Sequence, residues 1–501
     1  MNNDGYLLGY DVGSTFVKTS LLEIETGDFV ASATSPEKEL EIMITEEGWA
    51  EQHPHIWWEH IKRATAILKE QVGKKLDDVR AIGISYQMNG LVIVDKNYEA
   101  LRPSILSSDN RAVKIGEQAL NSLGEELCLL HMLNSPVNST ASKLRWIMEN
   151  EYDIYKRIFK FMLPGDYIGM LMTGEILTTP SGLSEGIMWD FPNDKISEVI
   201  LKHYNISHDL IPTVVPNLFD HGVLTSKAAS ELGLREGIKV SYRAGDKLNG
   251  AFSLNVLHPN EFSVTVGNSG VMYGITNKLV GDSRFRSNTF VHVNHQKSHP
   301  SYGVIVNIYG ISILNSWLKR NIVTFGSDTL TYNQMNKLAE LIPAASEGLV
   351  VLPYSISAEQ TLDSKSIGVA ICKLDMEIHS KAHILRAGQE GIAFALKQGL
   401  EIMTGLGIEL KDIRANLSDI FLSSLFCEAL STVTDTNIKL YNTDSAQGAA
   451  RGAGVGSGVY NSFDEAFIGL KIAKVIEPNS KKRETYLEAY LKWYQVLKKF
   501  L

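Results

Sequence analysis

The sequence predicts an α/β protein made of two like domains that face each other across a cleft. A chain of 501 residues is long enough for about two to four domains, and its 44% of hydrophobic residues can fill sizeable cores. Apolar runs of strand length alternate with stretches of helical periodicity. One short turn motif also occurs twice, near the start and again about half the chain later. This duplication indicates two domains of similar architecture.

The first copy of the motif lies in residues 7–24, where two β-rich apolar runs meet at Gly13, Ser14 and Thr15, just after Asp11. Gly with Ser or Thr between apolar runs is often an ordinary β-turn. Backbone N–H groups and hydroxyls in such a turn can also bind a phosphate, and a carboxylate beside it can hold Mg²⁺ through water. The position of Asp11 and the repetition favour the phosphate site.

The second copy lies in residues 261–275, where Gly267, Asn268 and Ser269 stand between apolar runs. One phosphate turn in each half of the chain indicates a nucleotide held between two domains. The chain contains neither GxxxxGK[ST] nor the protein-kinase signature set, so the commoner nucleotide-phosphate frameworks do not apply.

The pattern predicts several elements along the chain, and a connector at residues 86–90 carries polar side chains at a strand end, where α/β ligand sites gather. The elements are a helix opening at His53 and Pro54, strands over residues 81–85 and 91–94, a helix over 142–150, a strand over 349–353, and helices over 382–406 and 483–501. The last helix should bury one stripe of apolar and aromatic residues, namely Tyr486, Leu487, Tyr490, Leu491, Tyr494 and Leu497.

Composition argues against several classes of protein. The formal net charge is −9, with 48 basic and 57 acidic residues and no long basic run, which argues against a nucleic-acid binder. The three cysteines, Cys128, Cys372 and Cys427, lack metal-ligand spacing, so we expect buried free thiols and a reducing cytoplasm. Neither a signal peptide nor an apolar run of membrane-spanning length is expected.

Asp246 follows Gly245 shortly before the second turn. An Asp after Gly is usually a turn residue or a helix cap. If the two halves face each other, however, Asp246 would lie near both phosphate turns and could accept a proton from a hydroxyl that attacks a γ-phosphate. Phosphoryl transfer needs positioning, Mg²⁺ and one such base rather than an elaborate nucleophile.

Nearly the whole chain resembles FGGY-type carbohydrate kinases of the actin/hexokinase-like superfamily, and within them the xylulokinases most. The motifs that carry the resemblance are GYDVGS at 9–14, GWAEQ at 48–52, GISYQMNG at 83–90, RPS at 102–104 with Asp109 and Arg111, SKLRW at 142–146 with Glu149 and Asn150, PGDY at 164–167, AGD at 244–246, GNSG at 267–270, and QGAA at 447–450 with Gly452, Ala453 and Gly454.

The resemblance implies two ribonuclease-H-like domains around a central cleft, with residues 1–243 binding the sugar and residues 244–482 the nucleotide. Packing of the helix at 483–501 back on the first domain is left as an open alternative. The resemblance also implies transfer of phosphate from ATP, with Mg²⁺, to a sugar such as D-xylulose at its 5-hydroxyl. The protein would bind the sugar and MgATP, but neither nucleic acid nor a membrane. Formation of a homodimer is left as an open possibility. The implied site residues are the catalytic base Asp246, which also serves sugar and Mg²⁺; Asp11 for Mg²⁺; Gln87, Met88, Asn89 and Asp109 for the sugar; and Gly13, Ser14, Thr15, Gly267, Asn268, Ser269, Gly310, Ala415 and Asn416 for ATP.

Several positions depart from the family pattern. Asn89 stands where xylulokinases usually have His, Asn268 where Thr is usual, and Lys247 where Asn or Gln is common. Residues 414–419 replace the Gly-rich adenosine loop, and Ser108 occupies a position near Asp109 where Trp is frequent. Lys247 is expected either to stabilise ionised Asp246, to attract an anionic substrate, or to point to solvent. Other ketoses, polyols or aldonates therefore stay open as substrates, as do a catalytically weak sugar-binding regulator and an actin-like ATPase.

Overall fold

The computed structural model describes residues 4–266, 269–322, 331–356 and 358–501. Its strands are β1 (Tyr6–Val12), β2 (Val17–Glu23), β3 (Phe29–Ser35), β4 (Glu51–Gln52), β5 (Val79–Tyr86), β6 (Val92–Val94), β7 (Ser104–Ile105), β8 (Lys160–Met162), β9 (Leu177–Thr178), β10 (Trp189–Asp190), β11 (Lys195–Ile196), β12 (Thr213–Val214), β13 (Lys239–Gly245), β14 (Phe262–Val266), β15 (Ser269–Thr276), β16 (Asn288–Val291), β17 (Tyr302–Tyr309), β18 (Val350–Pro353), β19 (Val369–Cys372), β20 (Ile413–Asn416), β21 (Ile438–Tyr441) and β22 (Ile472–Ile476). Its helices are α1 (His55–Val72), α2 (Val113–Leu123), α3 (Glu125–His131), α4 (Thr140–Asn150), α5 (Tyr152–Tyr155), α6 (Pro164–Thr173), α7 (Pro180–Glu185), α8 (Glu198–Tyr204), α9 (Ser226–Leu232), α10 (Asp246–Ser253), α11 (Ile311–Ile322), α12 (Tyr332–Glu340), α13 (Lys381–Gly405), α14 (Ser424–Thr434), α15 (Ser445–Gly456), α16 (Phe463–Ala466) and α17 (Arg483–Leu497).

Two large sheets repeat one strand pattern. The first has five strands in the order β13-β5-β1-β2-β3, in which β1 is antiparallel to β2 and parallel to β5. The second has seven strands in the order β16-β17-β15-β14-β20-β21-β22, in which β14 is antiparallel to β15 and parallel to β20. Each sheet therefore begins with a hairpin and continues through parallel strands. The predicted α/β architecture of two like halves is confirmed.

The predicted elements are found within a few residues of their expected bounds. Strands β5, β6 and β18 cover the predicted strands, and α1, α4, α13 and α17 cover the predicted helices. Helix α1 is capped at Pro54, which suits a proline because its missing N–H needs no partner there. Helix α4 is capped by Ser139, whose side chain accepts from the Ser142 N–H.

The two halves are joined by α15, which comes from the end of the chain but packs on β1 and β5 of the first sheet. Gly9 on β1 and Gly83 on β5 allow this approach. A Cβ at Gly9 would overlap the Ala446 carbonyl oxygen, and a Cβ at Gly83 would overlap that of Ala449. The glycines of two sequence motifs are thus required by the close contact between the helix and the strands.

The C-terminal helix α17 packs on the second half. Tyr486 and Trp493 are buried in the core that surrounds the second sheet, and the Trp493 indole donates to the Val351 carbonyl at 2.9 Å. The alternative that residues 483–501 pack on the first half is therefore wrong, because the apolar face of α17 is covered by α14 and β18. The predicted stripe is also partly wrong, since Leu487 and Leu491 are exposed.

No helix in the described residues is long and apolar enough to cross a membrane. The three cysteines are free, with Cys128 and Cys427 buried and Cys372 half-buried. Burial raises the pKa of the Cys128 thiol to about 11 and that of Cys427 to about 12, so both are unreactive packing residues.

Candidate active site

Three neighbouring parallel strands bring the predicted site residues to one edge of the first sheet. Asp11 on β1 is opposite Ser85 on β5, and Gly245 on β13 is opposite Tyr86 on β5. Because the three strands run in the same direction, the residues at their carboxyl ends gather at one edge. Asp11, the connector after β5 and Asp246 after β13 are therefore neighbours in space.

Asp11 is held by a hydrogen bond in which the Ser85 hydroxyl donates to Oδ1 at 2.7 Å. The pKa of Asp11 is raised to about 6. Burial is the main cause, the negative charges of Asp246 and Asp444 add to it, and Ser85 and Lys18 oppose it. Asp444 also pairs with Lys18 at 2.8 Å. The carboxylates of Asp11 and Asp246 thus act on each other within one site.

This arrangement fits Mg²⁺, which is usually held by one or two carboxylates together with water and substrate phosphates. Within the described ranges there is no group of three or more His, Cys, Asp or Glu side chains that could hold a metal alone. A cation between Asp11 and Asp246 would relieve the repulsion between them. ATP phosphates would have to complete its coordination.

Asp246 is the first residue of α10, and the Lys247 N–H donates to its Oδ1 at 2.9 Å. The strand that leads to it is anchored by Arg243, which is fully buried and pairs with Asp166 at 3.3 Å. Arg243 also donates to the Leu177 carbonyl at 3.1 Å. Asp166 of the PGDY motif therefore supports the strand that ends in the AGD motif.

Gln87 is the best candidate among the connector residues for direct contact with a ligand. Its side chain is 6% exposed, and both its amide nitrogen and its amide oxygen lack partners in the described structure. A buried amide without partners is costly, so such a group is expected to bond a ligand. Met88 is packed in the core between the halves, and Asn89 has a positive φ of 58°.

Lys143 holds this connector in place, a role that the sequence did not indicate. Its side chain is fully buried, and Nζ donates to the carbonyls of Asn89 at 2.8 Å and Leu106 at 2.9 Å. The pKa of Lys143 is lowered to about 7. Burial is the main cause, Arg111 adds to the shift, and Asp109 opposes it.

We expect stability to rise with pH relative to a Lys143→Met variant. Between about pH 7 and 9 the unfolded lysine stays protonated while the folded one loses its proton, so the unfolded state binds more protons and the wild type gains about 2 kcal/mol. Urea unfolding of both proteins at the two pH values measures this. An equal pH dependence in wild type and variant would show that Lys143 keeps its proton in the fold.

Asp109, which the family resemblance implies for the sugar, is bonded within the protein. Both of its oxygens accept from Arg111, at distances from 2.6 to 3.0 Å, and Oδ2 accepts from the Ala50 N–H at 2.6 Å. Arg111 also lies 3.7 Å from the centre of the Trp49 ring and pairs with Glu51 at 2.7 Å. Asp109 therefore braces the loops around the connector, because its lone pairs are already used.

The first phosphate turn has the free groups that an anion needs. Gly13 donates its N–H to the Phe16 carbonyl at 3.0 Å, which closes the turn. The hydroxyls of Ser14 and Thr15 make no hydrogen bond with the described part of the chain. Gln52 further fixes the turn by donating to the Ser14 carbonyl at 2.7 Å.

The second turn is only partly described. Gly267 and Asn268 lie outside the described residues, whereas Ser269 begins β15 opposite Tyr309. Gly310 follows with a φ of 94°, and a Cβ there would come within 3.0 Å of the Ser355 nitrogen. This glycine is required by the turn between β17 and α11.

The strand that replaces the Gly-rich adenosine loop contains one residue that can still contact a nucleotide. Ala415, one of the two residues of this strand predicted to contact the nucleotide, is fully buried in the core of the second half. Asn416 has a buried Oδ1 without a partner among the described residues. Arg414 pairs with Glu261 at 2.6 Å and also bonds the Asn255 carbonyl, so its charge is used within the fold.

Sequence reasoning missed Glu185, a buried acid at the end of α7. A Cβ on Gly245 would overlap both Glu185 Oε1 and Met88 Cγ, which places the carboxyl beside the strand end that carries Asp246. A lone glutamate in a stretch rich in Ser and Gly gives no periodic signal, so the sequence alone could not have located it.

Comparisons with known proteins agree with this geometry. Residues 6–253 match the N-terminal domain, and residues 263–456 the C-terminal domain, of the FGGY family of carbohydrate kinases. A xylulose kinase of Lactococcus lactis is 28% identical over 98% of this chain and 96% of that protein. The crystal structure of xylulose kinase from Rhodospirillum rubrum is similar, with a TM-score of 0.86, 23% identity, and coverage of 99% of this chain and 98% of that one. Gluconate kinase from Lactobacillus acidophilus matches with a TM-score of 0.84, 21% identity, and coverage of 99% and 98%.

Proposed function

The chain belongs to the FGGY family of carbohydrate kinases, and we propose that it transfers the γ-phosphoryl group of ATP to a hydroxyl of a ketopentose such as D-xylulose. One observation carries the proposal. Asp11, Gln87 and Asp246 meet at the carboxyl ends of three parallel strands, beside a second sheet of the same pattern. The xylulose kinase of Lactococcus lactis supports the choice of sugar.

In this mechanism Asp246 accepts the proton of the sugar hydroxyl as its oxygen attacks phosphorus, and ADP leaves. Gln87 orients the sugar through its free amide. Ser14 and Thr15 bind phosphate oxygens from one side. Mg²⁺, when bound beside Asp11, would neutralise charge on the phosphates.

We propose two functional domains, with residues 1–243 binding the sugar and 244–482 the nucleotide. Gly267, Asn268, Ser269, Gly310 and Asn416 are proposed nucleotide contacts on the second domain. Closure of the domains would exclude water, so that the phosphoryl group passes to the sugar and not to a water molecule. We also propose a cytoplasmic location, which the use of MgATP and the free thiols of the described residues support.

An assay of sugar-dependent ADP release tests the proposal. The panel contains pentuloses, hexuloses, polyols and aldonates, each with MgATP. Turnover with a ketopentose supports the proposal as stated. Turnover only with another class of sugar would change the assigned substrate but would still identify a carbohydrate kinase. Sugar binding in a thermal-shift experiment without turnover would instead support a catalytically weak regulator.

Replacing Gln87 with Leu should raise KM for the sugar roughly 5- to 150-fold, because a substrate hydroxyl would lose its partner in a buried site. KM for ATP should change little, since Gln87 lies on the sugar side. Steady-state kinetics with each substrate varied in turn measures both constants. An equal rise in the two KM values would argue that the variant damages the fold and not the sugar contact.

A further inference from the structure

Glu185 lies where three features of the site meet. The Tyr86 hydroxyl donates to its Oε1 at 3.3 Å, and Tyr86 is the last residue of β5, directly before Gln87. A Cβ at Gly245 would overlap both Glu185 Oε1 and Met88 Cγ, so the carboxyl lies against the last residue of β13 and close to the connector. The Glu185 carboxyl is therefore near the residues proposed to hold the sugar and the base.

The second oxygen of this carboxyl is available. Glu185 is 4% exposed, and its Oε2 is buried without any hydrogen-bond partner in the described residues. The neighbouring Ser184 hydroxyl accepts from the Val291 N–H of the second sheet at 3.0 Å, so α7 is held at the junction of the two halves. An unpartnered oxygen on a fixed element is expected to bond a ligand that enters the cleft.

Burial also affects whether the Glu185 carboxyl carries a proton. Desolvation raises the pKa of Glu185 well above its usual value, Asp246 and Asp166 raise it further, and Lys247 opposes them. A neutral carboxyl carries both an O–H donor and an acceptor oxygen. It is suited to a sugar hydroxyl, which is also both donor and acceptor.

Lys247 lies close enough to two buried residues to affect their ionisation. It is half-buried and makes no ion pair within the described structure. Its charge moderates the pKa rise that burial causes in Glu185 and in Tyr309 at the end of β17. Lys247 therefore acts electrostatically on Glu185 of the first half and on Tyr309 of the second sheet.

On these contacts, and resting on the proposed kinase function, we propose that Glu185 is a specificity-determining residue that hydrogen-bonds a sugar hydroxyl and selects neutral polyhydroxylated sugars over aldonates. An aldonate would bring a further negative charge beside the carboxylates of Asp11 and Asp246. Of the lysines that lower the pKa of Asp11 and Glu185, Lys18 already pairs with Asp444, which leaves Lys247 to face that charge. A ketose or polyol carries no such charge and can bond the neutral carboxyl.

The test compares E185L and E185Q with wild type, using the best neutral sugar of the panel, D-gluconate and ATP. We expect E185L to raise KM for the neutral sugar on the order of ten- to hundredfold, with KM for ATP within about twofold. E185Q should stay within a few-fold of wild type, because an amide keeps one donor and one acceptor. Wild type should prefer the neutral sugar to gluconate.

A matched control is Glu390→Gln, which removes a buried acid of the second half that bonds Arg386 and Ser346. It should lower stability without changing either KM. The inference is overturned if E185L keeps the wild-type sugar KM, if E185Q is as impaired as E185L, or if gluconate is the better substrate. If wild type phosphorylates no sugar, the kinase proposal fails instead, and thermal shifts with the neutral sugar alone decide the inference: a shift that is lost in E185L supports it, and an equal shift or none overturns it.

Discussion

Replacing Asp246 with Asn should lower kcat roughly 10²–10⁴-fold while KM for ATP changes little. Asparagine fills the same space and can still accept the bond that the Lys247 N–H donates, so the strand end should keep its shape. It cannot take a proton from the attacking hydroxyl. The loss should therefore appear in the chemical step.

Asp209→Asn is a suitable control, because it neutralises an exposed carboxylate on the same half of the chain. It should retain wild-type turnover. Single-turnover measurement of sugar phosphate formation separates chemistry from product release. Near wild-type kcat in the Asp246 variant would remove this residue as the base.

The largest effect on stability is expected from Asp166→Ala. The change leaves Arg243 charged and fully buried without its partner, and breaking such a pair costs about 3–5 kcal/mol. Because Arg243 lies on the strand that ends immediately before Asp246, kcat should fall as well. Urea unfolding followed by intrinsic fluorescence measures the loss.

The control is Asp153→Ala, which breaks an exposed pair with Lys156 and should cost less than about 1 kcal/mol. If the two variants lose similar amounts of stability, the buried pair is not a main support of the catalytic strand. Asp166→Asn should lie between them, since an amide oxygen still accepts from Arg243.

The sequence predicted the parts of the site that depend on local order along the chain. Asp11, the connector at Gln87 and Asp246 each follow a strand, and parallel strands bring their ends together without further information. The turns at Ser14 and Ser269 could be paired because the chain repeats them. The strands that flank the two turns follow one pattern in both sheets.

Contacts between distant segments could not be predicted in this way. The packing of α15 on the first sheet depends on Gly9 and Gly83 meeting a helix that begins more than three hundred residues later. The bonds of Asp109 to Arg111 and Ala50 cannot be read from spacing, so its bracing of the loops was not predicted. Glu185 gave no signal, since only the folded chain places it beside Gly245.

The most direct test of the central claim is the identity of the phosphorylated product. Purified protein is incubated with D-xylulose and MgATP, and the reaction is followed by ³¹P NMR. We predict one sugar phosphomonoester for each ADP formed, with no ester in the Asp246→Asn variant. ADP accompanied by inorganic phosphate instead of a sugar ester would identify an ATPase and contradict the account.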